Sequence, residues 1–171
     1  PTRDDGTASK LALVADKMPD RPNLWGDDEL TVAINNTANE SRDFRPLVSD
    51  ALEFWASNST RFVGFPLNYE LIPDASNPDI VVEFVKSIES CANVSDPAGC
   101  APYVTAGGQI SRPVSIELVG FYDNTSTVHV LKHELGHTLG LNHTADPQSV
   151  MASTSHLQTL PQPNATERRL P

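Results

Sequence analysis

Positive charge is scarce in this sequence. Twelve Lys and Arg residues stand against 22 Asp and Glu in 171 residues, a formal net charge of −10. Only Lys10, Lys17, Lys86 and Lys132 are lysines. This balance argues against nucleic acid and acidic membrane surfaces as partners, because both are gripped through basic patches. No run of eighteen apolar residues occurs, which excludes a membrane-spanning helix. The chain starts at a proline and shows no secretory signal, so an N-terminal segment is expected to have been removed. An acidic, lysine-poor surface suits very salty surroundings, where ions screen its self-repulsion. An ordinary acidic exported protein is the alternative. Cysteine is rarer still, with Cys91 and Cys100 alone in a loop-like stretch containing Asn93, Asp96, Pro97 and Gly99. In an exported protein they read as a disulfide closing a small loop, worth at most ~3 kcal/mol by chain entropy.

What is there centres on eleven residues, from His133-Glu134 through His137 and Gly140 to His143. Two histidines four apart on a helix lie one turn above each other on the same face, close enough to grip one metal ion. Glu134 stands beside the first and can reach a water on that ion. Gly140 follows the last helical turn, where a left-handed residue reverses the chain. That reversal brings His143 back as a third ligand and leaves a fourth tetrahedral position open. Zinc is the natural ion for three neutral imidazoles with one open position. Chance alone would give the full pattern roughly once in a hundred thousand such chains.

Eight residues further on comes Met151. The whole pattern resembles the metzincin zinc endopeptidases, His-Glu-x-x-His-x-x-Gly-x-x-His with a downstream Met-turn. The resemblance is to the matrixin-like members, and it covers roughly residues 24–155. It implies an α+β fold: a twisted mixed sheet of about five strands, a backing helix, an active-site helix and a Met-turn below the zinc. It also implies a zinc-dependent endopeptidase in which Glu134 is the general base and acid, with His133, His137 and His143 as metal ligands. In such folds an edge strand above the cleft binds the substrate backbone antiparallel, and residues 102–112 are the candidate.

One domain is expected, with residues 1–23 as an extended approach, 24–160 as the catalytic unit and 161–171 as a tail or short helix. Leu30–Ile34 alternates and reads as a first strand. A helix follows, capped by Ser41 or Asp43 and carrying Pro46 in its first turn. Leu47, Val48, Ala51, Leu52 and Trp55 give it one apolar face, and Asn58 to Thr60 ends it. Asn68–Ile72 is a second strand. Asp79–Val85, nearly continuous in apolar residues, predicts an interior strand covered on both faces. It also resembles the Ala-Asp-Ile-x-Ile-x-Phe strand of the matrixins. Val114–Val119 is a further strand. Asp123 to Thr127 offers several caps for the active-site helix, Ser126 first among them, and its Val128, Leu131, Leu135 and Leu139 fall within an ~80° stripe facing the sheet.

Other residues are set aside. His129 reads as a cap-region or supporting residue, because a straight helix cannot wrap three turns around one ion. His156 reads as a surface residue. Ser153 stands where the astacin-like enzymes carry a tyrosine ligand, and no structural-zinc loop or calcium site is supported. Seven Asn-x-Ser/Thr sequons occur, one at Asn142 beside His143, and such signals are weak. The protein is expected to be an extracellular monomer that takes protein or peptide substrates. A zinc-bound but inactive binding module is the second reading; a zincin using Glu167 as third ligand is a third, made unnecessary by His143.

Overall fold

The computed structural model describes residues 22–153 and 155–160. The expected tail at 161–171, and the N-terminal segment up to Arg21, lie outside the described residues. The elements in order are β1 (Glu29–Asn36), α1 (Arg45–Val63), β2 (Asn68–Leu71), β3 (Ile80–Val85), β4 (Ser90–Cys91), β5 (Val94–Ser95), β6 (Gly99–Cys100), β7 (Thr105–Ala106), β8 (Gln109–Ile110), β9 (Val114–Val119) and α2 (Asn124–Thr138). A five-stranded mixed sheet runs β2-β1-β3-β9-β6. Its first four strands are parallel, and β6 pairs antiparallel with β9 through Gly99↔Leu118 and Cys100↔Glu117.

Strand period decides which side chains meet the helices. Leu30 and Val32 of β1, Ile80, Val82 and Phe84 of β3, and Val114, Ile116 and Leu118 of β9 are all buried in one cluster with α1 and α2. The alternate residues Val81, Glu83 and Val85, with Ser115, Glu117 and Val119, are only half-buried. The interior position expected of β3 is therefore correct, but full cover on both faces is not. Glu83 breaks its apolar run, and both helices take the same side of the sheet.

Helix α1 runs further than the sequence suggested. Asn58 stays helical by donating from Nδ2 to the Phe54 carbonyl one turn back, at 2.7 Å. Phe62 and Val63 then bury against the core before Gly64, at φ 85°, closes the helix. Of the two expected caps, Ser41 does not serve its N-terminus and Asp43 acts from one position before the cap. Phe44 holds the cap position and stacks flat on Phe84 at 3.6 Å, while the Asp43 carboxylate takes the N–H of Arg45. Helix α2 is capped by Asp123 rather than Ser126. The Asp123 carboxylate accepts from the Ser126 N–H at 2.8 Å, and the Ser126 hydroxyl is turned to accept from the Gln158 N–H.

The two helices are pinned by Trp55, fully buried, whose indole N–H donates to the Lys132 carbonyl at 2.8 Å. At Gly136 the packing leaves no room for a side chain: a Cβ there would meet Met151 Sδ at 2.4 Å and Trp55 at 3.0 Å. Residues 102–112 do not form the edge of the sheet. They fold back as a small separate hairpin, β7–β8, around Gly107 and Gly108, both at positive φ. The edge strand is β6, and the Cys91–Cys100 disulfide ties it to β4. Among the described residues, no helix is long and apolar enough to cross a membrane.

Candidate metal centre

The sheet-facing stripe of α2 turns the opposite face outward. Leu131, Leu135 and Leu139 are buried at 0–1% exposure, whereas His133 and His137 remain half-open. The helix then ends in a Schellman-type reversal. Gly140, at φ 83°, donates to the His137 carbonyl at 2.9 Å, and Leu141 donates to the Gly136 carbonyl at 3.1 Å. Leu141 anchors the turn in the core, and two residues later His143 stands exposed over the end of the helix.

The three imidazoles converge. His133 Nε2 lies 3.1 Å from His137 Nε2 and 3.2 Å from His143 Nε2. One ligand atom from each residue lies within 4.8 Å of the others, so the three could hold one metal ion. The tautomers follow from what the other ring nitrogens touch. His133 Nδ1–H donates to the Val150 carbonyl at 2.7 Å, and His137 Nδ1–H donates to the Leu141 carbonyl at 2.9 Å. Their Nε2 lone pairs then face each other with no proton between them, an arrangement that a cation satisfies and a hydrogen bond does not. Nitrogens ~2.0–2.1 Å from a tetrahedral ion stand roughly 3.3–3.4 Å apart, close to the separations observed. The donor set fits zinc.

Burial sets the protonation of the centre before any cation's charge is added. Desolvation pushes His133 down to about 4 and lowers His137, against the opposing pull of the carbonyls that accept from them. Neutral imidazoles are what a metal needs. Glu134 is only 7% exposed, and desolvation pushes its carboxyl up to about 7 from an ordinary 4.5. A Cβ on Gly99 of β6 would lie 2.9 Å from Glu134 Cγ and Oε1 and 2.8 Å from Val130. The edge strand therefore roofs the carboxyl at van der Waals range.

A stability consequence follows with a definite sign. Glu134 has a raised pKa in the folded state, so its contribution is fully present below 4.5 and is lost as pH rises through 7. In metal-free protein, Glu134→Gln should raise the thermal midpoint relative to wild type at pH 8, and the gap should close by pH 4. Thermal unfolding of both chelated proteins across that range checks it. Equal midpoints throughout would mean that the carboxyl is not desolvated.

Met151, at 0% exposure, packs against Gly136 of α2. Its segment is held by the Thr144 N–H to the Met151 carbonyl at 3.0 Å and by the Met151 N–H to the Ser149 hydroxyl at 3.1 Å. His129 stays out of the cluster: its Nε2 meets the Ser155 hydroxyl at 2.7 Å, fastening the later segment to α2. His156 is exposed, as expected of a surface residue. The contacts missed by sequence reasoning are the Val150 and Leu141 carbonyls, which carry no residue signature, and Gly99, whose closeness to Glu134 depends on tertiary packing.

A mixed sheet backed by two helices, with two imidazoles on one helix meeting a third from the chain beyond it, makes an α+β domain that could hold a metal ion. The chain belongs to the matrixin family, peptidase M10, whose profile it matches over residues 24–166. It is similar to the "Probable matrix metalloproteinase 095L" of Invertebrate iridescent virus 3, 41% identical over 54 residues, or 29% of this chain and 15% of that protein. It is also similar to the "Matrix metalloproteinase-C" of Caenorhabditis elegans, 26% identical over 178 residues, 87% of this chain and 28% of that one. The alignments thus span only 15% and 28% of the lengths of these relatives.

Proposed function

We propose that the protein is a zinc-dependent endopeptidase, with His133, His137 and His143 as metal ligands and Glu134 as general base and acid. The observation that carries this reading is the convergence of three imidazole nitrogens beside a buried carboxyl, in a chain of the matrixin family. Bound there, zinc would supply Lewis acidity, lowering the pKa of a water molecule and polarising the scissile carbonyl. The chain's own residues do the rest. A Glu134 carboxylate oxygen takes the proton of the attacking water and later gives it to the leaving amine nitrogen. Gly99 stands close over that carboxyl, which is 7% exposed. The carbonyls of Val150 and Leu141 hold two imidazoles in the tautomer that offers Nε2.

The free edge of β6 is the natural rail for substrate. Among the described residues its backbone pairs with β9 on one side only, so an extended peptide can add antiparallel on the other. This moves the substrate strand from the expected 102–112 to residues 98–101. Met151 is proposed as the apolar floor of the centre, the Met-turn of the family. Residues 24–160 form the catalytic unit, acting as a monomer outside the cell, where a disulfide persists. The halophilic source rests on composition, and the inactive binding module is disfavoured by the position of Glu134.

The test is cleavage of an unfolded protein such as casein, assayed from low to molar salt. Cleavage should stop on addition of a zinc chelator and return when zinc is restored. Cleavage that persists in chelated, metal-free protein would remove zinc from the account.

A further inference from the structure

We infer that the Cys91–Cys100 disulfide is a positioning device for the active site. By clamping β6 onto the sheet it keeps Gly99 over Glu134, so that cleavage depends on the bridge while zinc binding does not. The inference rests on Glu134 acting as the base proposed above.

Strand β6 has little to hold it by itself. It is two residues long and makes two register pairs with β9, extended by the Val119 N–H to the Ala98 carbonyl at 2.9 Å. Edges with so few hydrogen bonds open locally at low cost. The segment leading to it is also costly in backbone terms. Ala92 and Asp96 sit at φ 51° and 52°, a region that side chains rarely adopt unless their surroundings impose it. What imposes it here is the β4–β5 hairpin, the Asp96 N–H to the Glu89 carbonyl at 3.0 Å, and the bridge itself. Ile88, between central strand β3 and β4, is buried just before the hairpin. The disulfide closes a covalent loop from Cys91 to Cys100, which is buried beside Gly99.

The consequence lies at Glu134. Gly99 approaches Cγ and Oε1 so closely that even a methyl group would collide. If β6 lifts from β9, the roof over the carboxyl and the rail for substrate go together. The metal cradle is built elsewhere. Its supports are α2, the Gly140 reversal and the Val150 carbonyl, and none of these lies between residues 86 and 101. Reaction and metal binding are thus separable.

The experiment treats the zinc-loaded chain with a water-soluble phosphine. The phosphine takes oxygen from water to become the phosphine oxide, and the bridge gains two electrons and two protons to become two thiols. At a temperature where the reduced protein is still folded, kcat on a quenched peptide should fall toward the roughly 100-fold that a displacement of about 1 Å can cost. Zinc per chain should stay constant, and reoxidation should restore the rate. The Cys91→Ala/Cys100→Ala variant should start at the low rate and ignore the phosphine. Hydrogen exchange should quicken at residues 98–101 and at Val119, with the His133–His137 turn unchanged. A reduced rate within twofold of the oxidised one, a fall matched by zinc loss, or unchanged exchange at 98–101 would overturn the inference. If the double variant does not fold, reduced wild type decides. If the oxidised protein cleaves nothing, the peptidase reading fails, and the exchange measurement still decides whether the bridge clamps β6.

Discussion

Glu134→Gln is expected to lower peptide cleavage by roughly 10²–10⁴-fold, the contribution typical of a positioned base, while leaving zinc content unchanged. Glutamine has nearly the same shape, so the close fit under Gly99 survives. What is lost is the ability to accept a proton from the attacking water and return it to the leaving amine. The carboxyl is not one of the three converging ligands, so elemental analysis should still find one zinc per chain. Initial rates on a fluorogenic peptide, compared at equal zinc occupancy, measure the effect. A variant that cuts as fast as wild type would remove Glu134 from the chemistry even if the protein remains a peptidase.

His143→Ala should produce the second large effect, loss of the metal itself. His133 and His137 are placed by α2, whereas His143 is carried by the exposed chain after Gly140. Its removal leaves two nitrogens to hold the ion, and no other His, Cys, Asp or Glu completes a group of three among the described residues. The loss in affinity should exceed the roughly 10–100-fold cost of deleting a group that merely orients a ligand. After dialysis against metal-free buffer, wild type should retain one zinc per chain and the variant close to none. Fold should persist, because His143 is exposed and the core cluster does not contain it. Full zinc retention in the variant would contradict the assignment of His143.

The parts of this site legible in the sequence are the local ones. The four-residue spacing of His133 and His137 fixes their common face, and Gly140 announces the reversal that returns His143. The leucines on the other face of α2 predicted which side would be buried. Strands with clear alternation, such as Val114–Val119, were equally readable. The misreadings share a different cause. Strand β6 spans two residues and has no period to detect, so the longer stretch at 102–112 drew the assignment of sheet edge. Asp123 and Ser126 are both good caps by composition, and only the final geometry chooses Asp123. Asn58 looked like a helix terminator, because its local hydrogen bond back to Phe54 cannot be read from residue type. The roof that Gly99 places over Glu134 joins residues 35 positions apart in sequence, and nothing local to either one predicts it.

The central claim is that this centre hydrolyses peptide bonds. Its most direct test is to incubate the zinc-loaded wild-type protein with a broad peptide library and map new termini by mass spectrometry across salt concentrations. The account predicts new internal cleavage sites that vanish on chelation and are depleted at least a hundredfold with Glu134→Gln, the lower end of roughly 10²–10⁴. A fully zinc-loaded protein that leaves the library intact at every salt concentration would contradict it.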